Sequence, residues 1–425
     1  MSCAQNIKGI EAMTSISSKT EPLSTKANTL WNAMGCLFYL GCQWVTTLLV
    51  VVLSSNYDNS GVLAFAMSIG NMFAAVALYK IRTYQVSDTL NTYSANAYVG
   101  FRLVSVGISA ILATFYLLLI TKSMSMIVAS LLYILFKADE SFNDVFYGIE
   151  QKKRRMDYIG KSQVLRGFAS LAGFAIPLAV TGNLYAAIIS MTACCMCVTV
   201  FYDRRNAMLF GFTKPGITRD QAKKLGRACL MPTIANLLAT SIVSVVRQRY
   251  GIAYGEELLG IYASVATPAV LVQAAASYLY SPLIGLLAER KANGGTAPFR
   301  KLFGKILLML IACIAILVAA CSIPGQLFLT AIYGSSIANH VWLLPYALIA
   351  TGSVALLYYI NDVLIILRNG TGQLIINIAA LALASMLIGP LAAAFAMNGI
   401  NLAIIGSCLA ASLVGIGLVI YTSSN

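Results

Sequence analysis

Four ionisable residues lie within eight positions of an otherwise apolar stretch of this sequence: Lys137, Asp139, Glu140 and Asp144. A charge at the centre of a bilayer costs about 2.5–3.5 kcal/mol on insertion scales, so such residues usually face a wet cavity and mark a path for ions or polar substrates. Lys137, Glu140 and Asp144 also recur at helical spacing, which predicts that they share one face of a helix. The pattern indicates a polar path through a membrane.

This charged face has two interpretations, which the residues leave open. Lys137 and Glu140 could neutralise each other as a packed ion pair, or the group could bind polar parts of a substrate in a cavity. Four ionisable groups exceed what one ion pair needs, which favours the cavity. Arg166, about a turn into the next span, could extend to the inner surface or present its guanidinium to a phosphate.

An integral membrane protein must position these residues. The chain has 425 residues, of which 59% are hydrophobic, whereas soluble domains have roughly 45–50%. A spanning helix needs about 20 mainly apolar residues. We therefore predict an all-α integral membrane protein with about twelve transmembrane helices in two pseudo-symmetric six-helix bundles. The predicted spans are 29–53, 62–84, 103–120, 126–148, 163–180, 184–202, 229–246, 260–287, 306–324, 342–367, 374–394 and 402–421.

The basic residues predict the orientation, because Lys and Arg are retained on the cytoplasmic side of a membrane. With the N-terminus inside, 24 of them fall in the N-terminal tail and the inner segments, and 3 fall in the outer segments. The other two, Lys137 and Arg166, lie within spans. We therefore expect both termini to be cytoplasmic, and membrane lipids to be partners of the inner basic residues.

The longest inner segment divides the six-helix bundles. After the first span of each bundle, a short polar loop runs through a glycine, Gly61 or Gly260, into a helix of small residues. Such weak internal similarity is typical of two parallel repeats. The predicted parts are an N-terminal tail (1–28), the first bundle (29–202), a cytoplasmic linker (203–228) and the second bundle (229–421).

Further polar side chains fall on spans that would line the space between the bundles. For each of them, hydrogen bonding between helices is the alternative role. Arg247 and Arg249 stand at the outer end of the seventh span, where they either anchor lipid headgroups or receive an anion. The complete set of cavity candidates is Lys137, Glu140, Asp144, Arg166, Asn32, Gln43, Asn236, Arg249, Gln273 and Asp362.

Several kinds of site are disfavoured by the same residues. The net charge of +14 is spread over short inner loops, so topology explains it better than nucleic-acid binding. A single histidine and cysteines scattered through apolar spans give no metal-binding motif. Gly160-Lys161-Ser162 resembles the end of a phosphate-binding loop, but Arg155 stands where that loop needs a glycine. We expect no cofactor, no metal and no nucleotide as the direct energy source.

Three sequence blocks resemble the polysaccharide-repeat flippases, the Wzx-like members of the polysaccharide transporter family in the multidrug/oligosaccharidyl-lipid/polysaccharide (MOP) exporter superfamily. The resemblance extends from about residue 29 to residue 421. Gln248 is a departure, since the family has a proline before the arginine and tyrosine of the third block. The blocks are RTYQVSDTLNTYSANAYVGFR (82–102), ESFNDVFYGIEQKKRRMDYIGKSQVLRG (140–167) and RYGIAYGEELLGIYASVATPAVLVQ (249–273), which continues to SPLIGLLAE (281–289).

The resemblance implies a V-shaped pair of six-helix halves that alternate access to a central hydrophilic cavity in the bacterial plasma membrane. It implies a substrate of undecaprenyl-diphosphate-linked oligosaccharide repeat units, moved from the inner to the outer leaflet. A proton or sodium gradient would drive transport, and other polysaccharide assembly proteins would be partners. The family-motif residues are Arg82, Gln85, Ser87, Asp88, Arg102, Asp144, Tyr147, Gly148, Gln151, Arg155, Asp157, Gly160, Arg166, Arg249, Tyr250, Glu256, Gly260 and Pro268.

Two other functions remain as alternatives. The nearest is a drug/cation antiporter of the same superfamily. The other is a membrane enzyme, such as a polysaccharide polymerase or glycosyltransferase, which generally carries a substantial outer loop with catalytic residues. The predicted outer loops are short, and the first of them offers only Asp58, so we expect a transporter rather than an enzyme. These loops are 54–61, 121–125, 181–183, 247–259, 325–341 and 395–401.

Overall fold

The protein is helical throughout the part of the chain that the structure describes. The structure is a computed structural model that describes residues 21–54, 57–88 and 90–424, and those ranges contain no β-strand. The first helices are α1 (Thr25–Val52), α2 (Asp58–Leu78), α3 (Ile81–Ser87), α4 (Ala95–Ile120), α5 (Met124–Lys152), α6 (Met156–Thr181), α7 (Leu184–Val198) and α8 (Arg204–Leu209). The others are α9 (Arg219–Tyr254), α10 (Glu256–Ala266), α11 (Val270–Gly294), α12 (Thr296–Tyr333), α13 (Ser335–Ala338), α14 (Leu344–Ile366), α15 (Gly370–Phe395) and α16 (Asn398–Ser424).

All twelve predicted spans are mainly helical, which confirms the predicted fold class. Span 62–84 is interrupted by a turn at Tyr79 and Lys80, which both have positive φ, before α3 begins. Three other spans contain a change of helix type: the π-helical turn Thr199–Asp203 joins α7 to α8, the 3-10 turn Thr267–Ala269 joins α10 to α11, and the 3-10 turn Val341–Leu343 precedes α14. Within the described ranges, ten helices or continuous helical segments are long and apolar enough to cross a membrane. α5 is not one of them, because its charged residues interrupt the apolar run.

Several helices extend beyond their predicted spans. α9 has 36 residues and α12 has 38, although about 20 suffice to cross a membrane. Segments 247–259 and 325–341, predicted as outer loops, are therefore mainly helical, and α8 and the start of α9 occupy much of the predicted linker 203–228. Hydropathy marks the apolar part of a helix and not the polar turns that continue it. The boundaries of the two bundles stay a prediction.

Large apolar side chains on the surface of α12 identify a lipid-facing helix. Four of them are each about two thirds exposed, and together they cover several turns. On a soluble protein such a surface would mark a binding or aggregation site, whereas on a 38-residue apolar helix it suits contact with lipid chains. The chain is therefore a multi-pass membrane protein. The four residues are Leu308, Ile316, Ile323 and Leu327.

The chain forms two compact units, and the first unit holds the charged segment. It takes in the chain up to Thr46, Val76–Thr114 and Leu132–Leu230. A core of buried side chains that includes Tyr98 and Phe146 joins α3, α4, α5, α8 and α9. Apolar burial of this kind contributes roughly 25 cal/mol for each Å² removed from water. This core fixes the part of α5 that carries the polar residues.

The second unit takes in Thr47–Ala75, Phe115–Leu131 and the chain from Met231 onwards. Its helices α14 and α15 are joined by a reciprocal amide pair. The Asn361 amide donates to Asn377 Oδ1 at 3.2 Å, and the Asn377 amide donates back to Asn361 Oδ1 at 2.7 Å. Polar side chains paired in this way hold transmembrane helices together, because the alternative is an unsatisfied polar group in hydrocarbon.

Within the second unit, α2 and α10 touch backbone to backbone through two glycines. A Cβ on Gly61 would lie 1.7 Å from the carbonyl oxygen of Glu256, and a Cβ on Gly260 would lie 2.1 Å from the carbonyl oxygen just before α2. The hydroxyls of Ser60 and Ser264 approach to 3.3 Å beside them. Small residues permit this close approach of membrane helices. We call this contact the glycine crossing.

Candidate functional site

α5 carries the predicted polar residues through the first unit as one unbroken helix of 29 residues. The helical period places Lys137 and Glu140 one turn apart and Asp144 one turn further on. Phe136, just before Lys137, and Ser141, just after Glu140, are almost fully buried. The charged side chains do not form a single stripe of neighbours. They divide into separate ion-paired groups, each joined to different helices.

Lys137 and Glu140 form one group with Tyr39 of α1, which we call the Lys137 cluster. The Lys137 ammonium lies 2.5 Å from Glu140 Oε2, and the Tyr39 hydroxyl donates to Glu140 Oε1 at 2.8 Å. The rings of Tyr133 and Phe136 flank the ammonium at 5.9 and 5.6 Å. The Lys137 and Glu140 side chains remain 18% and 27% exposed. The ion pair is therefore formed and still within reach of a ligand.

Arg166 on α6 is buried and paired. Its Nη2 donates to Asp139 Oδ2 at 2.7 Å, and its Nη1 donates to Thr199 Oγ1 at 2.7 Å. Arg166 is only 2% exposed. It therefore does not extend to the surface, which was one of the two roles that the sequence left open. Its charge acts on Tyr39 and Glu140, so the Arg166–Asp139 pair adjoins the Lys137 cluster.

Asp144 belongs to a different group, which we call the arginine clamp. Its two carboxylate oxygens accept from Arg102 at 2.8 Å and from Arg82 at 3.1 Å. Arg102 is fully buried and also donates to the Ala77 carbonyl at 2.7 Å, while Arg82 donates to Gln151 Oε1 at 3.0 Å. The clamp therefore ties α3 and α4 to α5. Both Asp144 oxygens are already engaged, which favours a bracing role over substrate contact.

The two candidates on α1 differ in what they contact. Gln43 Nε2 donates to Ser170 Oγ on α6 at 3.3 Å. Gln43 therefore makes a hydrogen bond between helices, the role that the sequence left open beside lining a cavity. Asn32 lies three turns earlier and is half-buried. Neither has a hydrogen bond to the Lys137 cluster among the described contacts.

The remaining four candidates lie in the second unit and are not gathered at one point. Arg249 is exposed and donates to the Ser385 carbonyl at 2.5 Å. Asp362 accepts from the Tyr280 hydroxyl at 3.0 Å. Asn236 and Gln273 are half-buried on α9 and α11. Among the described residues, no hydrogen bond or ion pair joins one of these four to another, so they do not form a cluster of their own.

The structure gives roles to residues that are not among the ten cavity candidates, above all Asp139 and the two clamp arginines, which the resemblance identifies only as family-motif residues. Asp139 stands in the charged run, but its partner Arg166 lies 27 residues away on the next helix. The signal that could have found it is hairpin geometry: α5 and α6 are antiparallel, so positions about equally far from the turn at Arg154 become neighbours. In the described residues, no group of three or more His, Cys, Asp or Glu side chains could hold a metal ion.

Comparison with known proteins gives a fold. No family model and no curated relative matches the sequence. An inward-facing multidrug resistance MATE family transporter of the MOP superfamily matches with a TM-score of 0.71 and 11% identity, over 90% of this chain and 94% of that one. The lipid II flippase MurJ, in an inward closed conformation, matches with a TM-score of 0.70 and 10% identity, over 92% and 87%. An outward-facing MATE structure gives 0.59 and 13%, over 94% and 96%. This chain therefore has the fold of MATE transporters and MurJ.

Proposed function

We propose that this protein is a transporter that moves a lipid-linked oligosaccharide from the inner to the outer leaflet of the bacterial plasma membrane. Three observations support the proposal: the fold, which a lipid II flippase shares; the resemblance of three sequence blocks to polysaccharide-repeat flippases; and a formed but accessible charge pair inside a helical bundle. The last of these carries the proposal, because the first two concern fold and ancestry rather than chemistry.

The Lys137 cluster has the chemistry to exchange partners with a diphosphate. The Lys137 ammonium is a compact point charge on a flexible stem with three donors, so it can turn from Glu140 towards a phosphate oxygen without moving the helix. Glu140 would then keep its hydrogen bond from Tyr39. The neighbouring Arg166 is fixed by Asp139 and would contribute its field rather than a direct contact. We therefore assign substrate contact to Lys137 and positioning to Arg166.

The proposal also covers the membrane topology, the partners, the energy source and the candidate residues of the second unit. Both termini would be cytoplasmic, and membrane lipids and other polysaccharide assembly proteins would be partners. An ion gradient would supply the energy. The predicted cavity residues of the second unit, Asn236, Arg249, Gln273 and Asp362, would contact the glycan through neutral and charged hydrogen bonds.

Reconstituted vesicles test the proposal directly. The purified protein would be placed in liposomes with an undecaprenyl-diphosphate oligosaccharide whose glycan carries a fluorophore, and flipping would be followed by a membrane-impermeant quencher. We expect flipping by the native protein, a loss of at least about tenfold on Lys137→Ala, as one charged hydrogen bond to phosphate implies, and a similar loss on Arg166→Ala.

A matched control distinguishes loss of the binding site from loss of one positive charge anywhere on the protein. Lys214→Ala removes one positive charge from an exposed loop and should leave the flipping rate unchanged. If the native protein flips the substrate and Lys137→Ala and Arg166→Ala are both as active as the native protein, the site assignment is refuted. Export of cationic drugs without flipping would establish the antiporter alternative, and extension of glycan chains by the purified protein would establish an enzyme.

A further inference from the structure

Two buried carboxylates of the first unit take no part in the groups described so far. Glu150 lies near the end of α5, and Asp203 is the last residue of the π-helical turn that precedes α8. Both residues are 0% exposed. Neither carboxylate oxygen of Glu150 has a hydrogen-bond partner, and those of Asp203 have no well-formed hydrogen bond, although the side chains of Ser162 and Asn143 lie beside them. The two side chains act on each other electrostatically. We call them the buried acid pair.

The cations that face this pair are all bound to other carboxylates. Arg82 and Arg155 face Glu150, and Arg166 faces Asp203. Two further carboxylates, Asp157 beside Glu150 and Asp139 beside Asp203, add negative charge. The existing ion pairs are Arg82–Asp144 at 3.1 Å, Arg155–Asp157 at 2.8 Å and Arg166–Asp139 at 2.7 Å.

The neutral groups around the pair are also polar and buried. Asn143 is 1% exposed, and its amide lies beside the Asp203 carboxylate without forming a hydrogen bond of regular geometry. Ser162 also faces Asp203 but is engaged with the Tyr147 hydroxyl at 2.7 Å. An amide can donate to a carboxylate and can accept from a protonated carboxyl. Asn143 therefore suits both forms of Asp203.

We propose that Glu150 and Asp203 form a proton-binding site in which the pair holds at least one proton. Two buried carboxylates that repel each other, and whose facing arginines are already paired with other carboxylates, cannot both stay ionised, because charge burial is far more costly than taking up a proton from water. The proton removes one negative charge and turns one carboxyl into a hydrogen-bond donor, for which the Asn143 amide oxygen is an available acceptor. The pair then titrates as a unit rather than as two independent acids.

The backbone at Asp203 suits a site that can open. A π-helical turn places an extra residue in the helical ladder, and such turns occur frequently at functional sites. Refolding of Thr199–Asp203 to a regular α-helix would shift the register of the side chains that precede α8, and with it the distance of Asp203 from Glu150. Proton release would then accompany a change of helix register. The proposal does not depend on which substrate the protein carries.

Infrared spectroscopy and thermal unfolding test the site without any transport measurement. In lipid nanodiscs at neutral pH, the native protein should show the carbonyl stretching band of a neutral carboxylic acid, and the band should fall as pH rises. Glu150→Gln and Asp203→Asn should each remove the pH-dependent band. Glu257→Gln, at an exposed position, is the matched control and should leave it unchanged.

Stability gives an independent readout with a defined sign. If the folded protein holds the proton and the unfolded chain releases it, the native Tm should fall between about pH 5 and about pH 9. Glu150→Gln mimics the neutral form and should flatten this dependence while raising the Tm at the alkaline end. Absence of the neutral carboxyl band in the native protein would overturn the proposal, even if the variants fail to fold. A Tm that follows sodium concentration at constant pH would overturn it in favour of a sodium site.

Discussion

Asp144 holds two arginines at once, and the first unit should tolerate its loss poorly. Arg102 is fully buried, so it depends on Asp144 for neutralisation. Its other contact, the Ala77 carbonyl, carries no charge. Removing one partner of a buried pair leaves the other charge uncompensated, which is more damaging than replacing both partners with apolar groups.

We therefore predict that Asp144→Asn lowers the free energy of unfolding by about 3–5 kcal/mol, measured by thermal unfolding in detergent. The double variant Arg102→Met with Asp144→Asn should be more stable than Asp144→Asn alone, since it also removes the stranded charge, and the Ala77 carbonyl keeps its bond from Ser105. Asp220→Asn, at an exposed position, is the control. A double variant less stable than the single one would contradict this account of the clamp.

Asp88, just after α3, gives a prediction for acid. Burial raises the pKa of its carboxyl, but hydrogen bonds from the Thr92 backbone, the Tyr98 hydroxyl and the Tyr93 backbone lower it more, to about 2 from 3.8. Because the folded pKa is depressed, the stabilisation is complete above pH 3.8 and is lost as the pH falls through about 2. At 1.36 kcal/mol for each pKa unit, the difference is worth about 2 kcal/mol.

The matching variant is Asp88→Asn, followed by unfolding from about pH 6 down to about pH 2. The native protein should lose stability across the lower half of this range. The variant should start about 2 kcal/mol less stable and lose correspondingly less. If the free energy of unfolding falls equally with pH in both proteins, Asp88 does not contribute the predicted acid-sensitive stabilisation.

At this scale the sequence predicts neighbours along one helix but not the partners that other helices supply. Helical spacing was enough to predict that Lys137 and Glu140 are neighbours, because both lie on one helix. The pairs Arg166–Asp139 and Arg102–Asp144 join different helices, so they depend on the register between helices, which packing sets and a single sequence does not contain. The Lys and Arg count places Arg102 in an inner segment but cannot predict that it is buried against Asp144.

The close packing of helices α2 and α10 depends on two glycines, which have no side chain. In the glycine crossing, Gly61 faces the Glu256 carbonyl and Gly260 faces the Tyr57 carbonyl, so each helix supplies one glycine and one carbonyl. No rotamer change can relieve a clash with a backbone oxygen. The tolerance of this contact for larger residues should therefore be very small.

We predict that Gly61→Ala and Gly260→Ala each destabilise the protein by about 1–3 kcal/mol or more, as overpacking does. Gly389→Ala is the control, since its Cβ would meet nothing within 4 Å, and it should be neutral or slightly stabilising. The two harmful changes should not add, because the first already separates the helices. Thermal unfolding of the four proteins measures this, and a neutral Gly61→Ala would refute the contact.

Hydropathy was a reliable guide to where helices occur and a poor guide to where they end. All twelve predicted spans are mainly helical, but α9 and α12 continue beyond theirs. Gly61 and Gly260 were singled out as similar positions of two repeats. Their direct contact could not be derived, since similarity along a chain does not specify which surfaces meet.

At the scale of the whole molecule, one fold serves proteins with unlike cargoes. MATE transporters and MurJ match this chain about equally well at 10–11% identity, so fold alone does not choose between a drug and a lipid-linked glycan. The proposal of a lipid-linked glycan rests instead on the three sequence blocks and on the Lys137–Glu140 pair. A cross-link at the glycine crossing can test whether α2 and α10 must separate during the proposed transport cycle.

Ser60→Cys with Ser264→Cys should form a disulfide under mild oxidation, because the native hydroxyl oxygens are 3.3 Å apart. If α2 and α10 separate during the proposed cycle, oxidation should stop flipping in vesicles and reduction should restore it. Each single cysteine variant is a control for the nine free cysteines of the described chain. Undiminished flipping by the cross-linked protein would show that this crossing stays closed throughout.

The arginine clamp has a consequence for how the protein is made. Arg102 on α4 precedes its counter-ion Asp144 on α5 by 42 residues, so the arginine helix leaves the ribosome ahead of the helix that carries its carboxylate. An arginine in the bilayer without a partner is costly on every insertion scale. We therefore expect α4 to wait beside the translocation channel until α5 emerges, and the two helices to enter the lipid together as a hairpin.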